Sequence, residues 1–229
     1  MKDKPPLGRD AILETALALI DRDGVAAFSL RVLAKELGVF PTAIYWHVPN
    51  RNALIAGAVA LALRSVGQRL PRGTWQQRLR VLLKRFRSAL QRHPKLAPVI
   101  GTELISNSPL DLPMLEHIVR ALEDAGFDGP ALVDAFNVVV AAMCGFVTIE
   151  LAAAPAQHAD AWAQAHRQAL REIAAPTYPA LARHLPQLRD KAFILRWTSG
   201  TNRPLNSGFE AWLDVIVGGL EQRAARGPQ

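Results

Sequence analysis

Apolar residues recur at Ile12, Leu13, Ala16, Leu17, Leu19 and Ile20. That three-and-four spacing predicts a helix over 10–22 with one broad apolar face. Gly24 follows in a C-cap position. Ser29 is a suitable N-cap for a second helix over 30–37, with Leu30, Leu33, Ala34 and Leu37 as its apolar residues and Gly38 at its end. Pro41 fits a first helical turn, so 41–47 reads as a short third helix. Pro49 stops it, and Asn50 caps a fourth helix expected to run to about residue 69.

Leu70-Pro-Arg-Gly-Thr interrupts the pattern and divides the chain into 1–70 and 71–229. Beyond it, 75–92 is amphipathic, with Leu79, Leu82, Leu83, Phe86 and Leu90 on one side. Pro94 and Pro98 punctuate a shorter segment near 95–106. Ser108-Pro109 opens a helix over 112–125 that Gly126 closes. Residues 131–153 form a long apolar helix, broken by Ala154-Pro-Ala-Gln. A polar, alanine-rich helix follows near 158–174, and 198–207 (TSGTNRPLNS) is a loop by composition. The last helix spans 207–223, with Phe209, Trp212, Leu213, Ile216, Val217 and Leu220 on its apolar side. No strand-like alternation and no internal repeat stands out. The expectation is an all-α fold: an N-terminal three-helix helix-turn-helix domain and a larger C-terminal helical domain.

Half the residues are hydrophobic and 21% are charged, a globular composition. The net charge of +7 favours anionic partners. The single cysteine, Cys144, allows no disulfide within one chain and fits a reducing, cytoplasmic setting. One cysteine and six scattered histidines build no metal-ligand spacing, so neither metal nor cofactor is expected. The apolar run 138–149 is shorter than the roughly 18 residues a membrane span needs, and the N-terminus lacks the apolar core of a secretory signal. No Ser-His-Asp order, carboxylate pair or P-loop suggests catalysis, and Cys144 has no evident base. No catalytic residue is assigned.

Candidate chemistry concentrates in 29–51. Leu33, Ala34, Leu37, Val39 and Ile44 would fix the second and third helices at a set angle, and Gly38 accepts the positive φ of a tight turn. The outer side of the short helix is then left for Thr42, Ala43, Tyr45, Trp46 and His47, and such a helix fits a DNA major groove. Arg31 suits a guanine edge, and Thr42 with Pro41 and Ala43 suits thymine methyls. Tyr45 and His47 can hydrogen-bond phosphates. Trp46 either offers its indole N–H to a phosphate or seals the small domain. Ser29 flanks this surface, and Asn50 and Arg51 open the fourth helix, whose N-terminus attracts phosphate.

The segment FSLRVLAKELGVFPTAIYWHVPNRNALI resembles the DNA-binding part of the tetracycline-repressor (TetR) family, and ILETALALIDRDGVAAFSL fits the same pattern. Trp75-Gln76, Phe86-Arg87, Ala125-Gly126-Phe127 and the Gly145-containing helix resemble the tetracycline-repressor-like C-terminal subgroup more loosely. The resemblance implies a homodimer on palindromic operator DNA, contacted by Arg31, Pro41, Thr42, Tyr45, Trp46, His47 and Arg51. Pro41-Thr42-Ala43 replaces the subgroup's usual Gln-Pro-Thr, so an adenine-reading glutamine is missing.

The resemblance also implies a small-molecule pocket in the C-terminal domain. Gly67, Leu82 and Ile100 stand where tetracycline-responsive members carry polar groups, a metal-linked histidine near Ile100 is absent, and only Phe86 is retained. A hydrophobic effector other than tetracycline is the expectation. Leu82, Phe86, Ile100, Leu104, Leu115, Ile118, Met143 and Val147 would line its site or simply fill the core, with His117 as a polar group.

The helices over 131–153 and 207–223 are apolar on more than one face, so each must be buried on two sides. By resemblance they pair with their symmetry mates through Val138, Ala142, Gly145, Ile149, Trp212, Ile216, Gly219 and Leu220. Residues 72–95 carry eight basic side chains and no acidic one, read as a solvated face. The chain is thus expected to be a ligand-released repressor in the cytoplasm. The alternative is an architectural DNA-binding protein without an effector.

Overall fold

Ser29, Asn50, Thr74 and Asp111 each start a helix by offering a side-chain oxygen to a free backbone N–H, to Val32, Ala53, Gln77 and Met114 respectively. At Thr74 the cap is reciprocal, since Gln77 Oε1 accepts from the Thr74 N–H at 3.1 Å. The computed structural model describes residues 7–106, 111–152 and 158–226, the side chains of 104–106 excepted. Among these residues the chain is all-α. In order it runs α1 (Arg9–Asp23), α2 (Leu30–Leu37), α3 (Pro41–Tyr45), α4 (Arg51–Leu63), α5 (Trp75–Arg92), a 3-10 segment (Pro94–Val99), α6 (Ile100–Ser106), α7 (Leu112–Asp124), α8 (Gly129–Glu150), α9 (Ala159–Arg171), α10 (Pro179–Leu188) and α11 (Asn206–Ala225). The expected start at Ser108-Pro109 and break at Ala154–Gln157 lie outside the described residues.

Helices α1–α4 form the N-terminal helix-turn-helix unit, and α5–α11 form the C-terminal helical unit. One continuous apolar core joins them, from Ile12 and Ile20 on α1 through Leu63, Leu83 and Phe86 to Leu213 on α11. Two polar links reinforce the junction. His93 Nδ1 meets Asp21 Oδ2 at 2.8 Å, and Lys95 Nζ donates to the Arg22 carbonyl.

Several elements differ from expectation. Helix α4 stops at Leu63 rather than near 69. Its last turns tighten into three-residue bonds, Arg64 N–H to Leu61 O and Val66 N–H to Leu63 O at 2.8 Å. The chain then passes so near the start of α7 that a Cβ on Gly67 would lie 2.4 Å from the Met114 nitrogen. Helix α3 ends at Tyr45, because the N–H groups of His47 and Val48 both turn back to Ile44 O. Helix α10 was not among the expected elements; its Leu181, Leu185 and Leu188 recur at helical spacing, yet none of its side chains is fully buried.

Helix α8 has 22 residues, and an 18-residue stretch of it with mean hydropathy 2.0 makes it long and apolar enough to cross a membrane. The twelve-residue run seen in sequence is only part of it. Ala135, Val139, Met143, Phe146 and Val147 nevertheless face the protein core, beside α5, α7 and α11. Its last residue, Glu150, is buried and held in a polar cluster.

The basic run over 72–95 is in part a seam between helices, while Arg72, Lys84, Arg92 and Lys95 remain exposed to solvent. Arg78 pairs with Asp124 on α7, while Arg80 and Lys84 pair with Asp214 and Glu210 on α11 at 2.7 and 2.8 Å. Arg85 donates to the carbonyls of Gln68 and Arg69. Arg87 turns inward to Glu150. The acids come from distant parts of the chain, so local sequence does not reveal the pairing.

Candidate nucleic-acid interface

Leu33 and Ala34 on α2 and Ile44 on α3 are buried together, and Leu37 and Val39 pack against them. Between the helices Gly38 adopts φ 69°, ψ 38°, the left-handed conformation that favours glycine. Its N–H returns to Lys35 O at 3.2 Å and that of Val39 to Ala34 O at 3.0 Å, which fixes the turn. With the inner face closed, the opposite side of α3 stands in solvent. Trp46 is 89% exposed and Tyr45 52%, and Pro41, Thr42 and His47 are exposed beside them. Trp46 therefore does not seal a buried corner in this chain. Arg31, on the first turn of α2, is exposed as well.

Phe40 adds an exposed aromatic side chain to this surface that the sequence pattern left unassigned. It occupies the N-cap position of α3 with an 82% exposed ring. Ser, Thr, Asn and Asp are the usual caps, so an aromatic there was the available signal. Phe40, Pro41 and Thr42 together offer apolar surface of the kind that meets thymine methyls.

Three expected contacts have other work within the chain. Arg51 points inward, its Nε donating to Phe28 O at 3.0 Å and its Nη2 to Val25 O at 2.6 Å, so it ties down the α1–α2 turn. The oxygens of Ser29 and Asn50 are engaged by their capping bonds at 3.3 and 2.8 Å.

The arrangement is a short exposed helix braced by a longer one across a glycine turn, on a chain of net charge +7. That is the geometry of a major-groove reader. Known families agree. The model for bacterial regulatory proteins of the tetR family matches residues 12–58, and the model for the tetracyclin repressor-like C-terminal domain matches 68–224. The chain belongs to the tetR family. It is 30% identical over 189 residues to an HTH-type transcriptional regulator of Saccharopolyspora erythraea, covering 81% of this chain and 78% of that one. It is 29% identical over 223 residues to the class C tetracycline repressor protein of Escherichia coli, covering 94% and 91%. In fold it is similar to apo ActR of Streptomyces coelicolor, with a TM-score of 0.76 at 22% identity over 97% of this chain and 99% of that one. As a tetR-family member it is a DNA-binding transcriptional regulator and not an enzyme.

In this tetR-family chain the expected effector-lining residues are largely core. Leu82, Phe86, Ile100, Ile118, Met143 and Val147 are buried in the continuous apolar cluster. Leu115 and His117 are half-buried, and the Leu104 side chain lies outside the described residues. The expected pairing surface fares differently. Val138 and Ile149 on α8 are exposed, and Ala142, Gly145, Trp212 and Ile216 are half-buried. Gly219 is exposed, and nothing approaches the Cβ positions of Gly145, Gly218 and Gly219 within 4 Å. Leu220 is the exception. It is 3% exposed and lies on the inner stripe with Leu213 and Val217, one helical turn apart, so it belongs to its own chain's core.

Proposed function

We propose that the chain is a repressor that binds a palindromic operator as a homodimer and is released by a small, largely apolar effector. The exposed Phe40–His47 surface carries this reading, because so much aromatic area standing in solvent on a braced helix calls for a partner. Arg31, Pro41, Thr42, Tyr45, Trp46 and His47 form the reading head, with specificity from base edges and much of the affinity from phosphates.

The outer faces of α8 and α11 support the homodimer. Val133, Val138, Ile149 and Val215 are large apolar side chains left exposed in a single chain, and a second copy would cover them. A two-fold pair presents two heads to a palindrome. In function the chain divides near residue 70, into a reading unit over 1–70 and a sensing and pairing unit over 71–229. Such a regulator works in the cytoplasm. The E. coli relative is named a tetracycline repressor, but Gly67, Leu82 and Ile100 supply no polar groups here, so the effector is not tetracycline.

The test is selection of bound duplexes from random DNA, followed by light scattering of the complex. A palindrome bound by two chains is expected, and Val138→Glu with Ile149→Glu should give monomers that lose it. Binding without sequence preference, unaffected by any compound, would instead indicate an architectural DNA-binding protein.

A further inference from the structure

Between the end of α8, α9 and the 193–199 segment lies a cleft of about 220 Å³. It is distinct from the Leu82–Phe86–Ile100 core. One wall is Trp162 and His166, one turn apart on α9, with their rings stacked at 5.4 Å and 15°. Phe193 and Trp197 also line the cleft, and the Arg167 guanidinium lies 5.5 Å from the centre of the Trp197 ring.

The floor is held in place before any ligand arrives. Asp190 accepts hydrogen bonds from the N–H groups of Trp197 and Thr198 at 3.1 and 3.0 Å and from the Thr198 hydroxyl at 3.0 Å. Its own N–H donates to Leu195 O at 3.0 Å. Asp190 and Ile194 both adopt left-handed φ angles, 56° and 57°, so this loop has a specific shape.

Arg196 lines the same cleft. Its Nη2 donates to the Arg203 carbonyl at 2.7 Å, while Nε and Nη1 are shielded from solvent and have no partner. His166 Nε2 is shielded and unpartnered too. The nearby carboxylates are otherwise engaged, Glu150 by Arg87 and Asp190 by the loop and Arg203. Partial burial pushes the Arg196 guanidinium pKa down, against the opposing pull of Asp190 and Glu150. The two N–H groups of Arg196 that have no partner leave capacity for a further acceptor.

We propose that this cleft binds a planar aromatic carboxylate of one or two rings, its rings against the aromatic lining and its carboxylate on Arg196 and His166. The size argues for a small ligand, since pockets for drug-sized molecules run to roughly 300–1,000 Å³. In naming this ligand as the effector class, the proposal rests on the effector-released repressor described above.

Calorimetric titration of the full chain with sodium 1-naphthoate tests it, with neutral 1-naphthamide as the comparison. One naphthoate per chain is expected, with the amide bound at least about tenfold more weakly, the scale of one lost charge-assisted hydrogen bond. Arg196→Gln should lose at least that factor for naphthoate while leaving the amide unchanged. Arg196→Lys should restore part of it, and His166→Phe, which keeps the stacked ring, should lose less. Circular dichroism melts establish that the variants are folded. Absence of saturable naphthoate binding, or equal affinity in wild type, Arg196→Gln and His166→Phe, would overturn the site. Operator release is read separately by gel shift. Arg196-dependent binding that leaves the operator bound upholds the cleft and overturns its role as the effector site.

Discussion

Arg87 and Glu150 form a two-pronged ion pair in the interior, Nε to Oε2 at 2.8 Å and Nη2 to Oε1 at 2.6 Å, with the glutamate side chain wholly out of solvent. The pair joins three parts of the chain. Arg87 Nη2 also donates to Asn206 Oδ1 at 3.0 Å, its guanidinium lies 4.5 Å from the centre of the Phe209 ring, and Glu150 Oε1 accepts the Leu205 N–H at 2.8 Å. Helix α5, the end of α8 and the start of α11 are thereby fixed around one charge pair. Removing both charges from water is costly, and the surrounding hydrogen bonds offset that cost.

Glu150→Gln should therefore destabilise the chain by about 3–5 kcal/mol, because it strands a buried guanidinium. Arg87→Met with Glu150→Leu should cost less than the two single changes summed. Urea denaturation of all four proteins measures this. Additive effects would mean that the pair acts as two independent groups.

Arg31 and Arg51 should separate binding from stability. Arg31→Ala removes an exposed side chain, so it should weaken operator binding by about 1–3 kcal/mol at an unchanged melting temperature. Arg51→Ala removes the bonds to the Phe28 and Val25 carbonyls and should lower stability by about 1–3 kcal/mol. Melting curves and binding isotherms on the same preparations compare them. An unchanged melt for Arg51→Ala would contradict its bracing role.

Gly67→Ala should destabilise the chain by about 1–3 kcal/mol. The new methyl would meet the Met114 nitrogen and the Pro113 carbonyl carbon at 2.4 and 2.8 Å, which are backbone atoms that cannot swing aside. A shift in the urea midpoint reports it, and a neutral result would mean that the α4–α7 crossing is loose.

Burial pushes the Cys144 thiol from its ordinary 9.0 up to about 11. Below pH 9 the thiol is neutral in both folded and unfolded chains and carries no penalty. From pH 9 to 11 the unfolded chain ionises first, so stability falls with rising pH, by about 2–3 kcal/mol once both forms are ionised. Cys144→Ala should flatten the stability profile over that window relative to wild type. The native thiol should also react slowly with disulfide reagents at neutral pH and quickly in urea.

The features most legible in sequence were those set by local chemistry. Ser29 and Gly38 bound α2, and Trp75–Arg92 stands out by its apolar spacing, because caps and helical periodicity are encoded within a few residues. Features set by distant partners were not legible. Arg78, Arg80 and Arg87 look alike on one basic helix, yet two bridge at the surface and one is buried, according to which acids α7, α8 and α11 bring to them. Arg51 looks like a phosphate contact until the turn between α1 and α2 presents the Val25 and Phe28 carbonyls. Helix α10 carries Leu181, Leu185 and Leu188 at helical spacing, but it is short and holds Pro186, so its stripe was easily passed over. The exposure of Thr42, Tyr45 and Trp46 could be read from position, whereas that of Phe40 needed the turn geometry. The cleft around Arg196 was invisible because its walls come from α9 and a loop some thirty residues later.

The core shared by the N-terminal and C-terminal units has a practical corollary. With α4 packed against both α5 and α6, and the 3-10 segment against α1, the N-terminal unit should unfold together with the rest of the chain. A truncated head would expose Leu63 and Val66 to water, so exchanging heads between relatives requires repacking that seam. A single thermal transition would then report an occupant anywhere in the chain, at the reading surface as well as at the distant cleft.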